Sequence, residues 1–181
     1  MKYNPEIHHR RSIRLKGYDY SSDGSYDITI CTQERENLFG DVVVGADSIS
    51  ALMELNHAGK MIETIYNETL NSYKNVTSDI CVIMPNHLHC IVSISRADIE
   101  SAPTIGDIVQ SFKRNTTIKY ISGVKFGIYP PFNKRIWQRD YYEHIIRDKN
   151  DYEYRWRYIY ENPAKWAEDE FYIKKKESAT L

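Results

Sequence analysis

No stretch of this 181-residue chain approaches the roughly 20 consecutive apolar residues that a membrane-spanning helix needs, so no membrane association is expected. The N-terminal MKYNPEIHHRRSIRLKG is polar and basic where a secretory leader has an apolar core, which excludes a recognisable export signal. Cysteine is scarce: Cys31, Cys81 and Cys90 are an odd number at no metal-binding spacing, and they fit reduced thiols in a cytoplasm better than a disulfide framework. Aliphatic residues are modest too, with a hydrophobic fraction of 41%. Against that stand 15 tyrosines, and each aromatic ring buries a large area, so one core of ordinary size is within reach. No repeat and no low-complexity segment is present. The expected organisation is a basic arm over residues 1–17, a single domain over 18–168 and a tail over 169–181.

An excess of one charge is also missing, because the formal net charge is only −1. Taken alone this argues against a nucleic-acid partner, but the distribution is uneven. Residues 1–16 carry a net +4, residues 17–110 a net −10, and residues 111–147 a net +6. A chain of this kind can turn a basic face to phosphates while staying neutral as a whole. Ordinary alternation of charged faces on a soluble protein gives the same totals.

Alternation of β-branched and polar residues predicts a strand over Tyr26–Thr32 and a shorter one over Asp41–Val44, a possible hairpin partner. From Ser48 the residues Ile49, Leu52, Leu55, Met61, Ile62, Ile65, Tyr66 and Leu70 recur at helical spacing, with Gly59 as an interruption that can split the helix. Ser78–Pro85 and Asn86–Ile94 read as two nearly contiguous strands. Thr104 is placed to N-cap a helix reaching about Tyr120. Gly123–Pro131 reads as loop, Ile136–Asp140 as a short strand, and Asn150–Asn162 as a last helix stopped by Pro163. This order predicts an α+β fold, a ferredoxin-like antiparallel sheet with helices packed on one face and the C-terminal helix bearing the chemistry.

His87-Leu88-His89 is the sharpest local signal. Residues i and i+2 of a strand share a face, so both imidazoles can reach one metal ion while Leu88 faces the core. A hydrogen-bonded histidine pair at a strand end satisfies the same pattern. Downstream, Tyr158 and Asn162 stand one helical turn apart. If that face meets the histidines, Asn162 can offer a carbonyl oxygen as a third ligand and Tyr158 a phenol for attack on a phosphodiester. Oxygen and nitrogen ligands with open positions favour Mg²⁺ or Mn²⁺. Asn162 before Pro163 also suits a helix end, Tyr154 shares the Tyr158 face, and Tyr160 is offset by only two residues, so spacing alone does not select the nucleophile.

Met84-Pro-Asn-His-Leu-His-Cys-Ile-Val resembles the HUH signature of single-tyrosine transposases, U being a hydrophobic residue. Ile136-Trp-Gln-Arg-Asp-Tyr-Tyr-Glu-His-Ile-Ile-Arg147 and Tyr158-Ile-Tyr-Glu-Asn-Pro-Ala-Lys-Trp166 look like the REP-associated tyrosine transposase branch of the IS200-like superfamily. Arg10–Tyr18 and Ile28–Gln33 match the same branch, so the resemblance runs over most of residues 10–166. It implies metal ligation by His87, His89 and Asn162, with Mg²⁺ or Mn²⁺ as cofactor, and Tyr158 as nucleophile. It further implies cleavage and rejoining of single-stranded or hairpin DNA through a 5′-phosphotyrosine, by a monomer or homodimer. Tyr142, beside His144, is a rival tyrosine. The basic segments then acquire a use: Arg10, Arg11, Arg14 and Lys16 as an arm on phosphates, Lys113 and Arg114 on a helix, and Arg139, His144 and Arg147 near the short strand. Trp137 or Tyr141 can stack on unpaired bases, and the basic run Lys174–Lys176 of the tail that starts at Phe171 is expected to be solvated.

Overall fold

The structure, a computed structural model, describes residues 23–44, 51–95 and 103–173; the basic arm, with Arg10, Arg11, Arg14 and Lys16, lies outside them. In chain order the elements are β1 (Gly24–Cys31), β2 (Gly40–Val44), β3 (Ala51–Leu55), α1 (His57–Asn71), β4 (Val76–Ile83), β5 (His87–Ile94), α2 (Ile105–Lys125), β6 (Tyr142–Ile146) and α3 (Lys149–Glu161). The main sheet has strand order β4-β5-β1-β6, and each adjacent pair is antiparallel. Its two βαβ crossovers, β1-α1-β4 and β5-α2-β6, interleave in the split-βαβ manner. Strands β2 and β3 form a separate hairpin.

Alternation divides the sheet into an apolar and a polar face. Tyr26, Ile28 and Ile30 of β1 and Leu88, Cys90, Val92 and Ile94 of β5 join one buried cluster. From α1 that cluster takes Ile62, Ile65, Tyr66 and Leu70, and from α2 Ile105, Ile108, Val109 and Phe112. Tyr66 meets Phe112 edge-on, with ring centroids 6.1 Å apart. On the opposite face the intervening residues Asp27, Thr29, His87 and His89 are buried although polar. Two helices therefore pack on one face as expected, but α3 lies across the other. The reason is visible in its sequence: only Ile159 of α3 is buried, and the helix is held by polar contacts instead. Arg155 reaches Asp27 on β1 (3.1 Å), and the Tyr152 hydroxyl donates to Asp79 on β4.

Three elements differ from expectation. Ala51–Leu55, expected as helix, is strand β3: Leu52 and Leu55 at i, i+3 fit a helical period, but pairing with β2 decides, and in the strand they take opposite faces, with Leu52 exposed. Gly59 does not break α1; a Cβ there would sit 2.2 Å from the Phe39 carbonyl oxygen, so glycine lets the first turn pack closely. The Asn56 side chain accepts from Gly59 N and starts the helix one residue before His57. Ile136–Asp140 makes one isolated bridge, Thr32 with Trp137, and the ladder strand is Tyr142–Ile146. Helix α2 does start at Thr104, through a capping box with Asp107, but continues to Lys125. No helix among the described residues is long and apolar enough to cross a membrane.

Candidate metal centre and nucleophile

His87 and His89 sit at the start of β5, after a turn over Pro85 and Asn86 closed by Met84 N donating to His87 O (2.8 Å). Their rings are 6.0 Å apart and both are buried. Each imidazole is held through one nitrogen. Asn86 Nδ2 donates to the carbonyls of Arg35 (3.1 Å) and Phe171 (2.7 Å), so Asn86 Oδ1 is an acceptor. It therefore takes the His87 Nδ1 hydrogen at 3.0 Å, which leaves His87 Nε2 with a lone pair. His89 Nε2 lies 2.8 Å from Thr29 Oγ1 and 3.0 Å from Asp27 Oδ1. The carboxylate oxygen is too far out of line for a hydrogen bond, but its charge keeps the proton on that nitrogen, so His89 Nδ1 carries the lone pair.

Asn162, the C-cap of α3, is fixed similarly. Its Nδ2 donates to Asp169 Oδ2 at 2.7 Å, and its Oδ1 is buried. His87 Nε2, His89 Nδ1 and Asn162 Oδ1 are thus three buried acceptor atoms with no hydrogen-bond partner among the described residues. Buried polar atoms are normally satisfied, and three orphans on adjoining elements call for a ligand of opposite character. Their donor set, two neutral imidazole nitrogens and an amide oxygen, fits a divalent cation. Among the described residues no group of three His, Cys, Asp or Glu side chains could hold a metal, so a site built on the two histidines would take the Asn162 amide as its third protein ligand.

Burial lowers the His87 pKa to about 3, helped by His89 and Arg35, so the ring stays neutral and ligand-competent over the working pH range. Tyr158 lies beside the pair, its ring 5.5 Å from that of His89 and 38% exposed. Its pKa is raised, first by burial and then by the carboxylates of Asp169, Glu170 and Asp27. Tyr158, His89, Asp27, Thr29, Tyr142 and His144 all line one cavity of about 220 Å³. Tyr154 and Tyr160 are 66% exposed and do not line it.

The remaining expected residues spread around this cavity. His144 Nε2 pairs with Asp151 Oδ2 at 2.8 Å, and Asp151 also meets Arg155 (3.4 Å), which continues to Asp27 and so to His89. Arg147 is exposed at the β6–α3 junction. Lys113, Arg114 and Arg139 lie elsewhere, along a second groove. Lys113 Nζ is engaged by the carbonyls of Gln138 (3.0 Å), Arg139 (3.4 Å) and Asp140 (2.9 Å), so it ties the 138–140 loop to α2. Trp137 is buried and donates to Thr116 Oγ1, which makes it a core ring and removes it as a stacking platform. Sequence reasoning missed Asp27, Thr29, Arg155 and Asn86. The polar positions within an otherwise apolar β1 were the available signal for the first two. The tail's basic run lies outside the described residues, but Phe171 ahead of it is buried, its ring 4.9 Å from that of His87, with the Arg35 guanidinium over the ring at 4.9 Å. Packing therefore continues through Phe171, past the boundary at 168, because Asn86 and Arg35 both hold backbone carbonyls of that segment.

No family model matches the chain. It is 38% identical over 189 residues to a Haemophilus influenzae protein of uncharacterised function, covering 95% of this chain and 98% of that protein. Over 155 residues it is 27% identical to another H. influenzae protein, classed as a REP-associated tyrosine transposase, covering 81% of this chain and 74% of the relative. An 84-residue stretch is 30% identical to the REP-associated tyrosine transposase of Escherichia coli, covering 46% and 42%. A solved REP-associated tyrosine transposase bound to a REP hairpin superposes with a TM-score of 0.54 at 19% identity, over 84% of this chain and 74% of that one, a likeness of fold. Sheet topology and this superposition give the chain the α+β fold of that transposase. In sequence it is similar to REP-associated tyrosine transposases.

Proposed function

We propose that this chain is a metal-dependent endonuclease and strand transferase for single-stranded or hairpin DNA, with Tyr158 as nucleophile. The observation that carries the reading is the trio of buried acceptors, His87 Nε2, His89 Nδ1 and Asn162 Oδ1, set beside the one α3 tyrosine that lines the cavity. These three residues would hold Mg²⁺ or Mn²⁺. When bound, the ion supplies positive charge that polarises the scissile phosphate and stabilises the departing 3′ oxygen. The surroundings of Tyr158 call for such charge, because burial and three carboxylates disfavour its phenolate.

In this reading the Tyr158 oxygen attacks phosphorus, the bond from phosphorus to the 3′ oxygen breaks, and that oxygen takes up a proton. The phenolic proton leaves to solvent through the open side of the cavity. A 5′-phosphotyrosine and a free 3′-OH result; attack by another 3′-OH reverses the step and releases the tyrosine. Asp27 and Thr29 orient His89, Asn86 orients His87, and Arg155 fixes α3 over both. Hairpin DNA is the substrate class, by analogy with the relative whose structure holds a REP hairpin.

A second reading, a hairpin-binding module that does not cut, draws on Phe171, whose ring packs against His87. The two are separated by incubating labelled hairpins from the flanks of the chain's own gene with Mn²⁺ and resolving the products on a denaturing gel. A covalent band lost in both Tyr158→Phe and His87→Ala supports the nuclease. Tight hairpin binding with no band, for any metal, selects the binding module.

A further inference from the structure

A second groove, of about 650 Å³, lies between α2 and the segment that leads into β6. Val109, Ile118 and Tyr141 give it apolar walls, and Arg114 and Arg139 add a guanidinium on each side. Both arginines are exposed, and neither forms an ion pair among the described residues. The nearby carboxylates are held to other groups: Asp107 accepts from the Thr104 backbone N–H (2.9 Å) and hydroxyl (2.7 Å), and Asp140 acts on Lys113. The arginine on the loop is not free to wander, because Lys113 clamps the carbonyls on either side of it and Gln138 N donates to Cys31 O (2.9 Å). Tyr141 is fixed by its hydroxyl on Glu143 (3.0 Å), with the Lys113 ammonium 5.7 Å from its ring.

Apolar walls between two fixed cations match a nucleobase with its flanking phosphates better than they match an inorganic anion, which would leave the walls unused. The position of the groove adds direction. Tyr141 lines it, while its neighbour Tyr142, 60% exposed, lines the Tyr158 cavity. Successive residues entering a strand point to opposite faces, and β6 is the terminal strand of the sheet, so the two sites adjoin across an edge unpaired among the described residues. We propose that the groove holds one unpaired nucleotide of the DNA strand that continues over the β6 edge to Tyr158, its base on Tyr141 and its phosphates on Arg114 and Arg139. The inference rests on the DNA-processing reading given above. It commits to single-stranded DNA, because a base must be unpaired to lay its face on Tyr141.

The test is fluorescence anisotropy without divalent metal, comparing hairpins that carry a single-stranded flank with the same stems alone. Arg114→Ala/Arg139→Ala is expected to weaken binding of the flanked hairpin by about ten-fold or more. The same double variant should reduce the slope of log K against log salt by about 1.4, two phosphates at roughly 0.7 each. Stem-only binding should change by less than about two-fold. A 5-iodouracil placed in the flank should crosslink to the Tyr141 peptide in the unchanged protein and not in Tyr141→Leu; matched melting curves verify that each variant is folded. Unchanged affinity and slope in the double variant, with no crosslink while the unchanged protein still binds, overturns the groove and leaves the nuclease reading standing. Equal losses for stem-only DNA overturn the unpaired nucleotide in favour of duplex phosphates. No binding of any hairpin by the unchanged protein overturns both readings together.

Discussion

The two faces of the sheet are built from the same strands and do different work. On one, Tyr26, Ile28, Leu88, Cys90 and Val92 bury apolar area against α1 and α2. On the other, Asp27, Thr29, His87 and His89 are equally buried, but their contacts are hydrogen bonds and ion pairs, and His87 Nε2, His89 Nδ1 and the Asn162 Oδ1 of α3 have no hydrogen-bond partner among the described residues. A face that satisfied all its polar atoms internally would add rigidity and have nothing left for a ligand. The difference teaches that stability and chemistry here are separated by a single residue step along β1 and β5.

Adjacent residues give the sharpest way to break that comparison. His89→Asn is expected to abolish the covalent DNA adduct on a denaturing gel while the protein remains folded. Leu88→Ala, one position away, should cost about 2–5 kcal/mol in urea unfolding and leave adduct formation intact at low temperature. If both variants lose stability alike and neither loses the adduct, the faces are not functionally distinct.

Acid should separate them next. The folded pKa of His87, about 3, lies below the unfolded value of 6.5, so the unfolded state binds more protons between the two. Stability from this group is fully present above pH 6.5 and is lost as pH falls towards 3, by up to about 1.4 kcal/mol per pH unit. Urea midpoints measured across that range should flatten in His87→Gln. A smaller loss, about 1–3 kcal/mol, is expected for Asp27→Asn, which takes the carboxylate from both His89 and Arg155. In that variant Mn²⁺ affinity, read by titration calorimetry, should fall about ten-fold or more, because the proton on His89 Nε2 is no longer held. Smallest of all is Lys149→Ala, which removes an exposed pair with Glu153 (3.5 Å) and should shift stability by no more than about 0.5 kcal/mol.

The halves of the molecule were unequally legible in the sequence. Strands β1 and β5 could be read because strong alternation or a long apolar run leaves little choice of period, and Thr104 as an N-cap announced α2. Strand β3 was hidden because leucines three apart read as helical spacing, whereas in the strand they fall on opposite faces. Strand β6 was misplaced onto Ile136 and Trp137: those side chains are buried, but by packing against α2 and Phe39, whereas the true strand shows Tyr142 and His144 to the polar face. At the site, His87, His89, Tyr158 and Asn162 stood out as a motif. Asp27 and Arg155 did not, since their pairing spans 128 positions of sequence and only the fold brings α3 across β1.

The central claim is that Tyr158, beside the two histidines, forms the bond to DNA. Its most direct test is mass spectrometry of the protein–DNA adduct after proteolysis, made with Mn²⁺ and a cleavable hairpin. The account predicts a nucleotide on the α3 peptide at Tyr158 and no adduct in Tyr158→Phe. A nucleotide on Tyr142, which lines the same cavity from β6, would contradict it and move the nucleophile from α3 to the edge strand.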